Sequence, residues 1–156
     1  SAVDLLRSMR ETLGAQSKLL IGFDLVKPRA QLIAAYDDAE GVTAAFNLNL
    51  LTRINRELRG TIPVERFRHE ARWNPEWQRI EMHLVAVANI AFSVAGARFT
   101  MRKGESIHTE NSHKYAPDQA RLLLHASGWS PVASWTDEAQ AFLIMLADAT
   151  PHRSAP

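Results

Sequence analysis

Lys18-Leu19-Leu20-Ile21-Gly22-Phe23-Asp24-Leu25-Val26 is the stretch on which the reading of this fold turns. It is apolar almost throughout and shows no alternation of polar positions. A strand of that kind is normally buried on both faces, as in parallel sheets covered by helices. Upstream, Leu5, Leu6, Met9 and Leu13 fall at helical spacing, and Gly14 supplies a helix stop. The chain therefore opens as a helix followed by a central strand, the tail of an α/β unit. A parallel strand needs neighbours, and no preceding strand in this sequence supplies them.

Downstream, Pro28 suits the first turn of a helix reaching about residue 38. A second helix over 41–58 turns Val42, Ala45, Phe46, Leu50, Ile54 and Leu58 toward a core, and Gly60 and Pro63 end it. The period then changes to that of strands, over 67–73, 79–85, 90–94 and 98–102, with Asn74-Pro75-Glu76 as a turn. This reads as an antiparallel meander with one wet face. A polar stretch over 105–115 leads into a helix at Pro117, with Ala120, Leu122, Leu123 and Leu124 around its core face and Gly128 after it. Two paired strands over 129–135 and 142–146 close the pattern. The chain divides accordingly into 1–40, 41–115, 116–147 and a disordered tail over 148–156. The fold class is α/β, or an α+β fragment. The order of elements matches the last third of a class I methyltransferase Rossmann-like sheet, with an inserted antiparallel β-rich substrate-binding subdomain.

Composition excludes several classes. The chain has 156 residues, 46% apolar and 22% charged, with a net charge of +1, an ordinary globular balance. No apolar run approaches the roughly 18–20 residues that span a bilayer, and the first residues lack the pattern of a signal peptide. The most basic stretch, 66–72, is interrupted by Glu70 and reads as a solvated strand face, so no nucleic-acid partner is expected. Cysteine is absent, which removes disulfides and thiolate chemistry and fits a cytoplasmic protein. His108 and His113 are five apart, not the four of a helical zinc pair, and no third ligand suggests itself, so no metal is expected. Ser106 and Ser112 lack the glycine-flanked elbow of a hydrolase nucleophile.

Seven segments follow one another in order: 20–27 (LIGFDLVK), 34–38 (AAYDD), 42–51 (VTAAFNLNLL), 55–58 (NREL), 73–75 (WNP), 79–84 (RIEMHL) and 104–112 (GESIHTENS). As an ordered set over residues 2–146 they resemble the histidine-specific S-adenosylmethionine-dependent methyltransferases, the family that serves ergothioneine biosynthesis. The resemblance implies a cytoplasmic enzyme that methylates the α-amino group of L-histidine. It also implies a donor-binding half, with a glycine-rich loop and a ribose-binding acid, preceding everything seen here. No Gly-x-Gly-x-x-Gly occurs in this sequence, so the donor, S-adenosyl-L-methionine, is expected to be held elsewhere. A strand edge laid open in this way is expected to make the chain self-associate.

The same resemblance assigns the acceptor contacts. Glu110 and Ser112, two apart in an extended segment and so on one side of it, become the pair that reads the imidazole; without the resemblance they better suit caps for the helix at Pro117. Tyr36 becomes the hydroxyl that meets the acceptor carboxylate, although a tyrosine at a helix end also covers a core. Met82 becomes an apolar wall beside the imidazole, a role compatible with plain packing. Thr43 and Phe46 complete that wall. Two alternatives stay open: a methyltransferase part for another amine or imidazole acceptor, and a non-catalytic β-rich binding or assembly module.

Overall fold

In the computed structural model, which describes residues 1–149, the stretch over 18–26 forms β1 (Lys18–Asp24), and its partner is antiparallel. It pairs along its whole length with β8 (Phe142–Ala149), from Lys18 opposite Asp148 to Asp24 opposite Phe142. β7 (Trp129–Thr136) lies on the other side of β8, so β1 is an edge strand of a three-stranded sheet. Where the sequence suggests parallel neighbours and two buried faces, β1 has in this chain one antiparallel partner and one exposed face. Leu19 and Phe23 enter a core while Leu20 on the other face is 67% exposed. A continuous apolar run conceals that alternation from a reader of sequence. Among the described residues, the one parallel pairing is an isolated bridge from Leu25 to Tyr115.

Two compact units emerge. The first takes, of the described residues, 1–27 and 114–149. Its core gathers Leu6 of α1 (Ala2–Leu13), Leu19 and Phe23 of β1, Ala120 and Leu124 of α4 (Pro117–Ala126), and Trp129, Leu143 and Met145 of the strands. Trp129 is fully enclosed, and its indole N–H donates to the Leu6 carbonyl at 2.9 Å, so a large apolar ring is buried without an orphaned donor. In α4, Leu122 is 68% exposed rather than turned inward. β8 runs to Ala149, so residues 148 and 149 of the expected disordered tail are strand; the rest of that tail lies outside the described residues.

The second unit spans Pro28–His113. The sequence reading drew boundaries at 40/41 and 115/116; the packing draws them at 27/28 and 113/114, which puts α2 (Arg29–Tyr36) with the β-rich part. β2 (Phe67–Asn74), β3 (Arg79–Ala86) and β6 (Ser106–His113) form one antiparallel sheet with β3 in the middle. β4 (Ile90–Val94) and β5 (Ala97–Met101) form a separate ribbon, so the expected single meander is split in two. α2 packs Leu32 onto Ala71 and Ile80, and α3 (Val42–Leu58) packs Leu51 near Leu84 and Phe67, both on the same sheet face. The helix face of α3 also needs correction. Asn47 and Leu51 are buried, whereas Val42, Phe46, Leu50 and Leu58 are exposed. A polar residue at the centre of the buried face is what misled the periodicity.

Candidate functional site

β6 carries Glu110 and Ser112, and its register against β3 decides what they meet. Met82 stands opposite Glu110 and Ile80 opposite Ser112, so these four side chains share the face that the helices cover. The register then shifts between Met82 and His83, with His108 next in line and Thr109 as the extra residue of a bulge. The Thr109 hydroxyl donates to the Met82 carbonyl at 2.9 Å and so anchors the irregular turn of chain. Because of that one extra residue, His108 turns to the opposite face from Glu110, although the two are only two apart.

Tyr36, the last residue of α2, reaches the same face. Its hydroxyl lies 2.7 Å from Ser112 Oγ, and its ring packs against Leu32, Ala71 and Ile80. Met82 is buried, at 4% exposure. Phe46 and Glu110 line one cavity of about 220 Å³ together with Asn49, Leu50, Arg53 and Thr109. Phe46 itself is 68% exposed, so the wall expected of it is open to solvent. Thr43 sits in the first turn of α3, where its backbone N–H donates to Asp38 Oδ1 at 2.9 Å. Val42 N–H meets the other carboxylate oxygen at 2.8 Å. Asp38 thus caps α3 as an anion. Its pKa is held down to about 2, first by the Thr43 backbone, then by the Thr43 side chain and the Val42 backbone. The helix-cap role that competed for Glu110 and Ser112 falls elsewhere: the N–H of Ala116, ahead of α4, is met by Gln119 Oε1 at 2.8 Å.

Residues 1–149 match the family described as histidine-specific, SAM-dependent methyltransferases. The chain belongs to that family. It is 45% identical over 131 residues to the histidine N-alpha-methyltransferase of Mycobacterium tuberculosis, covering 83% of this chain and 41% of that protein. To the histidine N-alpha-methyltransferase of Mycolicibacterium smegmatis it is 38% identical over 146 residues, 92% of this chain and 46% of the relative. Ergothioneine biosynthesis protein 1 of Neurospora crassa is 30% identical over 144 residues, 86% of this chain and 15% of that one. The chain thus spans less than half the length of these relatives.

At β1 the family's methyl donor finds no open glycine cradle. The glycine of β1, Gly22, has the position of an added Cβ filled by the Phe142 ring, 2.5 Å away, so it opens toward no ligand. The other sheet face of the second unit is polar instead. Arg68 and Arg72 both pair with Glu70, at 2.6 and 2.5 Å, and Arg79 pairs with Glu81 at 2.7 Å. Of the basic stretch, Arg68, Glu70 and Arg72 thus carry the ion pairs, while Phe67, His69 and Ala71 are buried. Glu81, His83 and His108 offer three ligand atoms within 4.8 Å of one another, a grouping hidden from sequence because the bulge creates it. Its charge is already served by arginines. Arg79 holds the Glu81 carboxyl down to about 2, with burial opposing and Asn74 and His83 assisting. Arg72 Nη1 lies 3.5 Å from His83 Nδ1. Burial lowers the His83 pKa, Glu81 opposes that, and Arg72 and His108 add to it, so a further cation there meets two guanidinium groups.

Proposed function

We propose that this chain is the acceptor-recognising part of an enzyme that transfers a methyl group from S-adenosyl-L-methionine to the α-amino group of L-histidine. The observation that carries the reading is the convergence of Tyr36, Met82, Glu110 and Ser112 on one sheet face, with two hydroxyls in contact at 2.7 Å. Methyl transfer to an amine is an in-line displacement, and it demands that a neutral amine be held close and aligned. This chain's share is orientation. Tyr36 donates to the acceptor carboxylate, and Ser112 and Glu110 meet the two imidazole nitrogens. A carboxylate accepts only, so the ring turns an N–H to Glu110. Met82 closes one side of the ring, and Thr43 and Phe46 the mouth of the site. The donor is held by the part of the enzyme outside these residues.

The test uses the enzyme at the full length of its relatives. Mass spectrometry of the product should show S-adenosyl-L-methionine-dependent methylation on the α-nitrogen of L-histidine. Tyr36→Phe should raise KM for L-histidine and leave histamine, which lacks the carboxylate, unaffected. Equal loss for both compounds removes the carboxylate role, and methylation of the ring alone removes the reading altogether.

A further inference from the structure

The carbonyl of Tyr36 closes α2, and the last carbonyls of any helix have no partner within it. His69, on β2, supplies one: its Nε2 lies 2.7 Å from that oxygen. A carbonyl only accepts, so Nε2 carries the proton and Nδ1 keeps a lone pair. Asn47, on α3, places its amide nitrogen 3.0 Å from that Nδ1. The same nitrogen is 3.4 Å from the His83 carbonyl, which fixes the way the amide faces, since the reversed amide would bring two oxygens together. The donors therefore all point one way, from Asn47 through His69 to Tyr36. Asn47 and His69 are 4% and 8% exposed, so these bonds are made in a shielded interior where unmet partners cost most. α2 has only eight residues, too few to hold its own last turn firmly.

We infer that His69, itself oriented by Asn47, is a positioning residue for acceptor binding: it fixes the last turn of α2 so that the Tyr36 hydroxyl is presented at Ser112 before the acceptor arrives. The inference rests on the reading of Tyr36 as the carboxylate contact. His69 touches no reacting atom; it acts through the backbone of Tyr36. Losing it should therefore weaken binding of acceptors with a carboxylate and spare the chemical step.

In the full-length enzyme, His69→Leu should raise KM for L-histidine by roughly tenfold with kcat nearly unchanged, and should leave KM for histamine unaltered. His69→Gln, whose amide nitrogen reaches the same carbonyl, should recover most of the loss. A KM for L-histidine that does not move, or a parallel loss for histamine, overturns the positioning role. Tyr36→Phe separates the two levels. If it raises KM for L-histidine and His69→Leu does not, only the His69 inference fails; if it does nothing, the reading of the site fails with it. Should His69→Leu not fold, nitrogen-15 spectra of the His69 ring in the unaltered chain decide. Protonated Nε2 with bare Nδ1 is expected, and converts to a mixture in Asn47→Leu; the opposite tautomer overturns the inference.

Discussion

Glu110 is exposed in this chain and lines a cavity, so its substitution should cost the fold little. A charge-assisted hydrogen bond is worth about 1.5–3 kcal/mol, so Glu110→Ala should lower kcat/KM for L-histidine by roughly ten- to two-hundredfold. It should also narrow the gap between L-histidine and an apolar amino acid, because an unmatched carboxylate penalises the latter. Steady-state kinetics with both acceptors checks this, and an unchanged ratio removes the imidazole-reading role. Asp38 gives a second expectation. Its folded-state pKa of about 2 lies below the ordinary 3.8, so the helix start it caps is fully supported above the latter value and loses that support as pH falls toward the former. Amide exchange at Val42 and Thr43 should accelerate on acidification across that window, and Asp38→Asn should abolish the pH dependence. At this scale Glu110 and Ser112 were legible as a pair, since residues two apart in extended chain share a side. Asp38 carries a readable signal, an acid just ahead of a helix. Asn47 and His69 were not legible: a buried polar pair is defined by its partner across space, and periodicity assigns such residues to the surface.

Most helices and strands were readable from period and punctuation, and the errors have a common cause. β1 reads as buried on both faces because the residues it exposes in this chain, Leu20 and Gly22, are not polar, and β6 reads as a connection because it has few apolar anchors. Strand identity there is fixed by pairing, and pairing is set by distant chain. β1 also ends in a charge arrangement that sequence does not show. Burial pushes the Asp24 pKa up, but hydrogen bonds from Lys114 and Lys27 hold it below the usual value. The Lys114 side chain is wholly enclosed and its ammonium lies 2.5 Å from Asp24 Oδ2. Asp24→Asn removes the carboxylate charge beside a buried cation and should cost about 2–4 kcal/mol of stability, read as a lower urea midpoint at unchanged m-value. Lys18, whose pair with Asp148 is exposed, should contribute far less when replaced by alanine.

At the scale of the whole chain, we propose that the open edge of β1 and the exposed Leu20 make copies of this chain associate. Light scattering of this chain should show species larger than a monomer that increase with concentration, and Leu20→Lys should diminish them. A clean monomer at high concentration contradicts this. The chain leaves the first unit after Lys27 and re-enters at Lys114, and the two crossings are stitched together: Leu25 bridges Tyr115, Val26 N–H donates to the Tyr115 carbonyl at 3.1 Å, and Lys114 meets Asp24. Everything between is topologically a cassette, with both of its ends seated in one place. Excising residues 28–113 and joining Lys27 to Lys114 through a few glycines should leave a smaller protein that still folds, with Trp129 emission shifted to the blue as for an enclosed indole. Under the proposed function, the part that chooses the acceptor is then a module that recombination can exchange between enzymes without rebuilding the scaffold that receives it.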